Sequence, residues 1–124
     1  MYRDNITTTV TLLDAVTATT TSAAVEVAGA TNISLQGVRA DHSSGSTAWS
    51  VTVSNDGTNY VAYNLLIDNV TNTNGQQLTR VASKSLGANG SVILGFDENF
   101  AYRYLKVTAT ETTDGTHSAI LTYF

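Results

Sequence analysis

The residues that could do chemistry in this chain are few, and the densest group of them is Asp41-His42-Ser43-Ser44. A histidine with serines and an aspartate has the residue types of a nucleophilic hydrolase, in which the histidine takes the serine proton and the acid orients the histidine. Adjacent residues point in different directions, however, and the sequence shows no strand–turn–helix segment that would expose a nucleophilic serine. The other histidine, His117, is predicted to be an edge residue beside a glycine turn. We therefore expect no catalytic residues and no enzyme activity.

A second group, Asp97-Glu98-Asn99, offers the carboxylate and amide oxygens that Ca²⁺ prefers, and Asp56 or Asp114 could join it in space. The spacing of an EF-hand loop is missing, and three contiguous residues seldom converge on one ion. The absence of cysteine excludes thiolate metal sites and disulfides. The group is therefore interpreted as an acidic turn, and we expect neither a metal nor a cofactor.

The elements that must position these residues are strands. Threonine and valine dominate, proline is absent, and apolar and polar residues alternate in many short segments. The Asn- and Thr-rich stretch 68–77 is predicted to be a long loop. The predicted strands are residues 8–14, 23–28, 32–38, 49–53, 60–67, 78–82, 91–96, 102–110 and 118–124.

Such strands, separated by turns at intervals of about ten residues, predict an all-β fold: an antiparallel two-sheet β-sandwich of eight or nine strands. Alternation does not give the strand order, so an immunoglobulin-like Greek key stays open beside the jelly roll that the strand count favours. A chain of 124 residues fits one domain. We expect a flexible N-terminal arm at residues 1–9 and a single sandwich domain at residues 10–124.

Two glycine turns are predicted to connect strands. In WSVTVSNDGTNYVAY, residues 49–63, Asp56-Gly57 supplies the positive φ that a tight turn requires, and asparagine side chains can cap the backbone around it. Asp114-Gly115 turns the chain into its last strand. Turn chemistry accounts for every residue at the first tip, so this hairpin is interpreted as scaffold and not as a ligand site.

The charge of the chain excludes several partners. The formal net charge is −4 and the six Lys and Arg residues are scattered, whereas nucleic-acid binding needs a clustered basic face. The sequence has no long apolar run and no apolar signal core, so we expect no membrane partner and no export. Only 13% of residues are charged. A surface of Thr, Ser and Asn can be buried against protein at a lower cost than a charged one.

Several strands carry apolar or aromatic residues on both faces. In residues 102–110, Tyr102 and Tyr104 alternate with Leu105 and Val107, so neither face of the strand is fully polar. A small monomer has difficulty covering such strands, and we predict a homo-oligomer, most simply a cyclic trimer. The residues expected at its interface are Tyr2, Arg3, Ile6, Tyr60, Tyr63, Tyr102, Tyr104 and Tyr123.

Two segments carry a family resemblance. WSVTVSNDGTNYVAY, residues 49–63, together with FAYRYLKVTATETTDGTHSAILTY, residues 100–123, resembles the discoidin-like sandwiches of phage and bacterial surface proteins. The chain departs from discoidin lectins in lacking their paired cysteines. A small, cysteine-free, threonine-rich sandwich also resembles phage virion accessory proteins, such as capsid decoration (cement) proteins and head-fibre or tail modules. The resemblance implies a structural, oligomeric role on a particle surface.

We therefore expect a non-enzymatic phage virion structural protein, an oligomeric capsid decoration protein that stabilises or decorates the particle. Its expected location is the virion, and its expected partners are copies of itself and the phage major capsid protein or another virion protein. The alternative is a carbohydrate-binding module of a phage tail or a bacterial surface protein. Such a module would use Trp49, Tyr60 or Tyr63 beside Asn and Asp as a platform on which sugars stack.

Overall fold

The computed structural model describes residues 7–68 and 78–124, and every regular element in them is a strand. None of these elements is a helix that could cross a membrane. Twelve strands are present in the described residues. Their bounds are β1 Thr8–Val16, β2 Thr20–Thr21, β3 Val25–Glu26, β4 Ile33–Ala40, β5 Thr47–Ser54, β6 Val61–Tyr63, β7 Leu65–Asp68, β8 Leu78–Val81, β9 Lys84–Leu86, β10 Gly90–Gly95, β11 Tyr104–Glu111 and β12 Thr116–Tyr123.

The predicted all-β class is confirmed, whereas the predicted count of eight or nine strands is too low. The segment predicted as one strand at residues 60–67 divides at Asn64 into β6 and β7, which join different sheets. The short strands β2 and β9 show too little alternation to be found by pattern. Strand β1 includes Thr8 and Thr9, the last residues of the predicted arm, while residues 1–6 and 69–77 lie outside the described residues.

The strands form two antiparallel sheets, as predicted. The first sheet has the order β1-β12-β4-β10-β7-β8. The second has the order β2-β11-β5-β6, with β3 also pairing with β11 and β9 with β5. The chain alternates between the sheets, from β1 to β2 and β3, to β4, to β5 and β6, and later from β10 to β11 to β12. The order β1-β12-β4-β10 in one sheet with β2-β11-β5-β6 in the other is that of a jelly roll, and it differs from the order of an immunoglobulin-like Greek key.

The core lies between the two sheets and follows the alternation of the sequence. In the first sheet Leu35 pairs with both Leu94 and Leu121, and these three side chains form a fully buried row. In the second sheet Val51 pairs with Val107, and both side chains are also buried. Apolar burial of this kind is the main stabilising contribution in a sandwich that has no disulfide.

Trp49 connects the two sheets. It belongs to β5 in the second sheet, and its indole Nε1 donates a hydrogen bond of 3.0 Å to the carbonyl oxygen of Ser118 in the first sheet. A Cβ atom placed on Gly37 of β4 would lie 2.6 Å from the Cδ2 and Cε2 atoms of this indole. The fully buried ring therefore fits only because residue 37 has no side chain.

The turn between β5 and β6 is held by its own side chains. The Oδ1 atom of Asp56 accepts hydrogen bonds of 2.8 Å from the backbone N–H groups of Thr58 and Asn59, and the Ser54 hydroxyl also donates to it. The Asn59 amide donates to the other carboxylate oxygen. These bonds favour the ionised form, so they hold the pKa of Asp56 far below its usual range. Gly57 has a φ of +76°, which permits the reversal of the chain.

Candidate functional site

Ser43 and Ser44 are hydrogen-bonded to Asp114 and not to the neighbouring His42. Asp114 accepts hydrogen bonds from the backbone N–H groups of Ser43 and Ser44 at 3.0 and 3.2 Å, and the Ser43 hydroxyl also donates to it. His42 contacts Asn89 instead, with 2.7 Å between its Nδ1 and the Asn89 Oδ1. Among the described contacts, no hydrogen bond joins His42 to either serine. These residues close a loop, and the bonds from Ser43 and Ser44 lower the pKa of Asp114 to about 2.

The same end of the sandwich holds a buried polar cluster that the sequence did not indicate. The Arg39 guanidinium, fully buried, donates to the carbonyl oxygens of Ser44, Gly45 and Asp114 at 2.7 to 2.9 Å and to that of Leu86 at 3.3 Å. Its bonds reach the connection after β4, the end of β9 and the turn before β12. Arg39 therefore links three segments through hydrogen bonds. Because its side chain is buried and its bonds go to backbone carbonyl groups, its role is structural.

His117 belongs to this cluster, and its prediction as an edge residue is wrong. Its strand, β12, lies between β1 and β4, and its side chain is fully buried. The ring Nε2 lies 2.9 Å from the Ala18 carbonyl oxygen, and Nδ1 lies 3.3 Å from Glu111 Oε2. Glu111 is also 3.8 Å from the Arg39 guanidinium. Alternation on β12 places His117 on the same face as Leu121, which was the available signal for its burial.

The opposite end of the sandwich carries a cluster of four aromatic rings. Tyr63 stacks on Phe96 with 5.4 Å between ring centroids. Phe100 and Tyr102 make edge-to-face contacts with Tyr63, with centroid distances of 5.4 and 5.9 Å. Phe100 and Tyr102 in turn lie 5.1 Å apart at an angle of 74°. Edge-to-face pairs of this kind are favourable, so the rings hold one another in place. Phe96, Phe100 and Tyr102 all come from the connection between β10 and β11.

Asp97 fixes this cluster to the first sheet. Its carboxylate accepts two hydrogen bonds from the Arg80 guanidinium, at 2.6 and 2.8 Å, and one of 2.8 Å from the Tyr63 hydroxyl. The Asp97 backbone N–H donates back to that hydroxyl at 2.8 Å. Burial and the carboxylate raise the pKa of Tyr63 to about 12, while the bonds from Arg80 and Tyr63 lower the pKa of Asp97.

These bonds bear on the acidic turn at residues 97–99. Because Asp97 already neutralises Arg80, its oxygens are occupied within the protein. Glu98 and Asn99 are exposed beside it. Within residues 7–68 and 78–124, no group of three His, Cys, Asp or Glu side chains has a geometry that could hold a metal ion.

Two open clefts lie on either side of Phe100 and Tyr102. The larger, of about 680 Å³, has Tyr63, Arg80 and Asp97 in its wall, and the smaller, of about 410 Å³, lies against Asn55 and Arg103. Tyr102 is 38% exposed between them. Phe100 and Tyr102 line both clefts and are termed the aromatic ridge.

The outer face of the first sheet is a surface of another kind. Ile93 stands on it with 62% of its area exposed, and Gln36 of β4 separates it from the half-buried Ile120 of β12. Cross-strand pairing places ten outward residues of β1, β12, β4 and β10 in three rows, and none of the ten is charged. This uncharged face consists of Thr9, Thr11, Ser34, Gln36, Val38, Ser91, Ile93, Ser118, Ile120 and Thr122.

The tyrosines predicted for the interface occupy different environments. Tyr63 is buried and Tyr123 packs against the core. Tyr60 and Tyr104 lie under cations: the Lys106 ammonium is 4.3 Å from the Tyr60 centroid and the Arg103 guanidinium is 5.5 Å from that of Tyr104. Of the five described tyrosines in that set, only Tyr102 is exposed, with 38% of its area in solvent. Tyr2, Arg3 and Ile6 lie outside the described residues.

The platform predicted for sugars is also placed differently. Trp49 is fully buried between the sheets, and Tyr63 is buried in the aromatic cluster, so neither ring presents a face to solvent. No protein-family model matches the sequence, and no curated protein matches it significantly. Its function is therefore inferred from the fold and from the side chains described above.

Proposed function

We propose that the chain is a non-enzymatic structural protein of a phage particle, a decoration protein that assembles with copies of itself through the uncharged face. The observation that carries the proposal is the exposure of Ile93 at the β10 end of the central row, next to uncharged polar residues such as Gln36. Virion location and a trimeric state are parts of the same proposal. The location derives from the resemblance of the sequence to phage accessory proteins, and the trimer from the strands that carry apolar or aromatic residues on both faces.

The physical support is the cost of burial. The centre of a protein interface is depleted in charged residues, because an ion loses more hydration free energy on burial than a hydroxyl or an amide. Hydroxyl groups that face each other across an interface can also hydrogen-bond to each other, as the Oγ1 atoms of Thr9 and Thr122 do at 3.3 Å within this sheet. Two further copies of the same face, arranged around a threefold axis, therefore supply both apolar contacts and hydrogen-bond partners.

The other sheet provides the contrast. Its outer side carries the Lys106 ammonium over the Tyr60 ring, and Arg103 beside it pairs with Glu26 at 3.2 Å. A partner that covered this side would have to desolvate these ions. The first sheet is therefore favoured over the second as the assembly surface.

Light scattering on the purified protein tests this surface. We expect the wild-type chain to be a trimer at micromolar concentration, and Ile93→Lys to be a monomer, because three ammonium groups would meet at the interface. Val61→Lys is the matched control, since Val61 is also 62% exposed but belongs to β6 of the second sheet. A wild-type monomer, or equal effects of the two substitutions, would refute assembly through this face.

The particle role has a separate test. Mass spectrometry of purified phage particles from a host that carries the gene should detect the chain at a fixed ratio to the major capsid protein. Its absence from the particles would contradict the virion assignment, even if the isolated protein forms trimers.

A further inference from the structure

We propose that the aromatic ridge and its two clefts bind a neutral oligosaccharide, a function that does not depend on assembly through the uncharged face. The ridge lies on the connection between β10 and β11, and it shares no residue with that face. The proposal is carried by the exposure of Tyr102, by the fixed orientation of its ring and by the polar side chains that surround it.

Exposure and rigidity of the ring are the first part of the case. Tyr102 keeps 38% of its area in solvent although its ring contacts both Phe100 and Tyr63. Since these edge-to-face contacts hold the ring, it does not have to be ordered when a ligand binds, and the entropy cost of binding is reduced. A sugar ring presents C–H groups on one face, so an ordered and partly exposed aromatic ring is a suitable surface for it.

The polar groups are the second part. Sugar hydroxyls both donate and accept hydrogen bonds, and they need carboxylate or amide partners at the edge of the stacking surface. Glu98 and Asn99 are exposed in the wall of the larger cleft, and Asn55 lies in the wall of the smaller one. A purely apolar ligand would leave these groups without partners, so the clefts fit a polyhydroxylated ligand better than a lipid.

The charges indicate a neutral ligand. In the larger cleft Arg80 is paired with Asp97 through two hydrogen bonds, and in the smaller one Arg103 is paired with Glu26. Both guanidinium groups are thus already neutralised by carboxylates of the protein, and Glu98 adds a negative charge. An acidic sugar would be repelled by Glu98, whereas a neutral one would not.

The size of the site indicates more than one sugar ring. The clefts of about 680 and 410 Å³ each fall within the usual range for small-ligand sites, and they meet at the ridge. A ligand that crosses Phe100 and Tyr102 would contact both clefts at once. We therefore expect an oligosaccharide to bind more tightly than its monosaccharide.

Calorimetric titration of the full chain with maltohexaose, cellohexaose, laminarihexaose and hexa-N-acetylchitohexaose, all of them uncharged, tests the site after a screen on an array of neutral and acidic glycans. We expect binding to at least one neutral glycan and weaker binding to its monosaccharide. Tyr102→Ala should weaken that binding by about tenfold because it removes the stacking surface, while Tyr102→Phe, which keeps the ring, should change it by less than about threefold.

Val61→Ala is the control, since Val61 is 62% exposed and lines neither cleft nor the cavity next to Glu98. The fluorescence of the buried Trp49 reports whether each variant is folded. The proposal fails if no neutral glycan binds at millimolar concentration, if only acidic glycans or peptides bind, or if folded Tyr102→Ala binds as tightly as wild type. Light scattering on Tyr102→Ala should show an unchanged oligomeric state, which separates this failure from that of the assembly proposal.

Discussion

Replacement of Gly37 by alanine tests whether the two sheets pack around Trp49 as described. The new methyl carbon would lie 2.6 Å from the Cδ2 and Cε2 atoms of the indole and 3.0 Å from Cε3. Carbon atoms in contact prefer a separation of about 3.5 to 4.0 Å, so the ring has to move by about 1 Å. Since Trp49 is fully buried, no free space is available to receive it.

The magnitude follows from two effects. Overpacking of a well-packed core costs about 1–3 kcal/mol of unfolding free energy. A movement of the indole also weakens its 3.0 Å hydrogen bond to the Ser118 carbonyl oxygen, and a bond of this kind contributes about 1 kcal/mol. We therefore expect Gly37→Ala to lower the free energy of unfolding by about 2–4 kcal/mol, a large part of the stability of a small domain.

Urea unfolding followed by tryptophan fluorescence measures this loss, because Trp49 is the one tryptophan in the chain and therefore the only indole signal. Gly87→Ala is the control: a Cβ at that position would have the Gly45 carbonyl oxygen as its nearest neighbour, at 3.9 Å, which is an ordinary contact. The control should change the unfolding free energy by less than about 0.5 kcal/mol. A Gly37→Ala protein as stable as the control would show that Trp49 does not pack on β4.

Two further substitutions test the turns. Gly57→Ala should lower the free energy of unfolding by about 1–2 kcal/mol, because residue 57 has a φ of +76° that an L-residue adopts at a cost; an unchanged melting temperature would contradict the turn geometry. The pKa of Asp114 is lowered from 3.8 to about 2 in the folded protein, so its carboxylate stabilises the fold above pH 3.8 and this contribution is lost as the pH falls toward 2. Asp114→Asn should therefore unfold at lower urea concentration at neutral pH and show a smaller decrease in that midpoint across the same pH window; an unaltered pH profile would refute the role of Asp114.

The all-β class and the buried face of each strand could be predicted because they depend on the alternation of neighbouring residues. The alternation of Val51 and Val53 with Ser50 and Thr52 places one set inside and the other outside, and this holds whichever strand lies next to β5. The strand order depends on pairings between distant segments, such as β1 with β12, and a single sequence does not contain these. The division of residues 60–67 between two sheets was missed because both halves are apolar.

The two surfaces proposed to be functional were harder to predict, because they depend on pairings between distant segments. Alternation of Val92 and Leu94 on one face already places Ile93 on the other, so one residue of the uncharged face could have been found. The ion pair of Arg80 with Asp97 joins a residue of β8 to one in the connection between β10 and β11, and neither residue has a local signal for this pairing. Trp49 looked like a sugar platform because tryptophan is common in such sites, but its burial is determined by the gap at Gly37 on another strand.

The two proposed surfaces have complementary physical properties. A stacking site built on one exposed tyrosine with a few hydrogen bonds gives a modest affinity, since each contact with a sugar replaces one with water. An oligomer that presents several copies of this site raises the effective concentration of the second and third sites once the first is occupied, and the overall affinity for a repetitive glycan surface increases by orders of magnitude. Because the uncharged face and the aromatic ridge share no residue, assembly does not consume the ring of Tyr102. A particle protein of this kind would bind a single sugar chain weakly through one subunit, and a repetitive glycan surface tightly through several subunits at once.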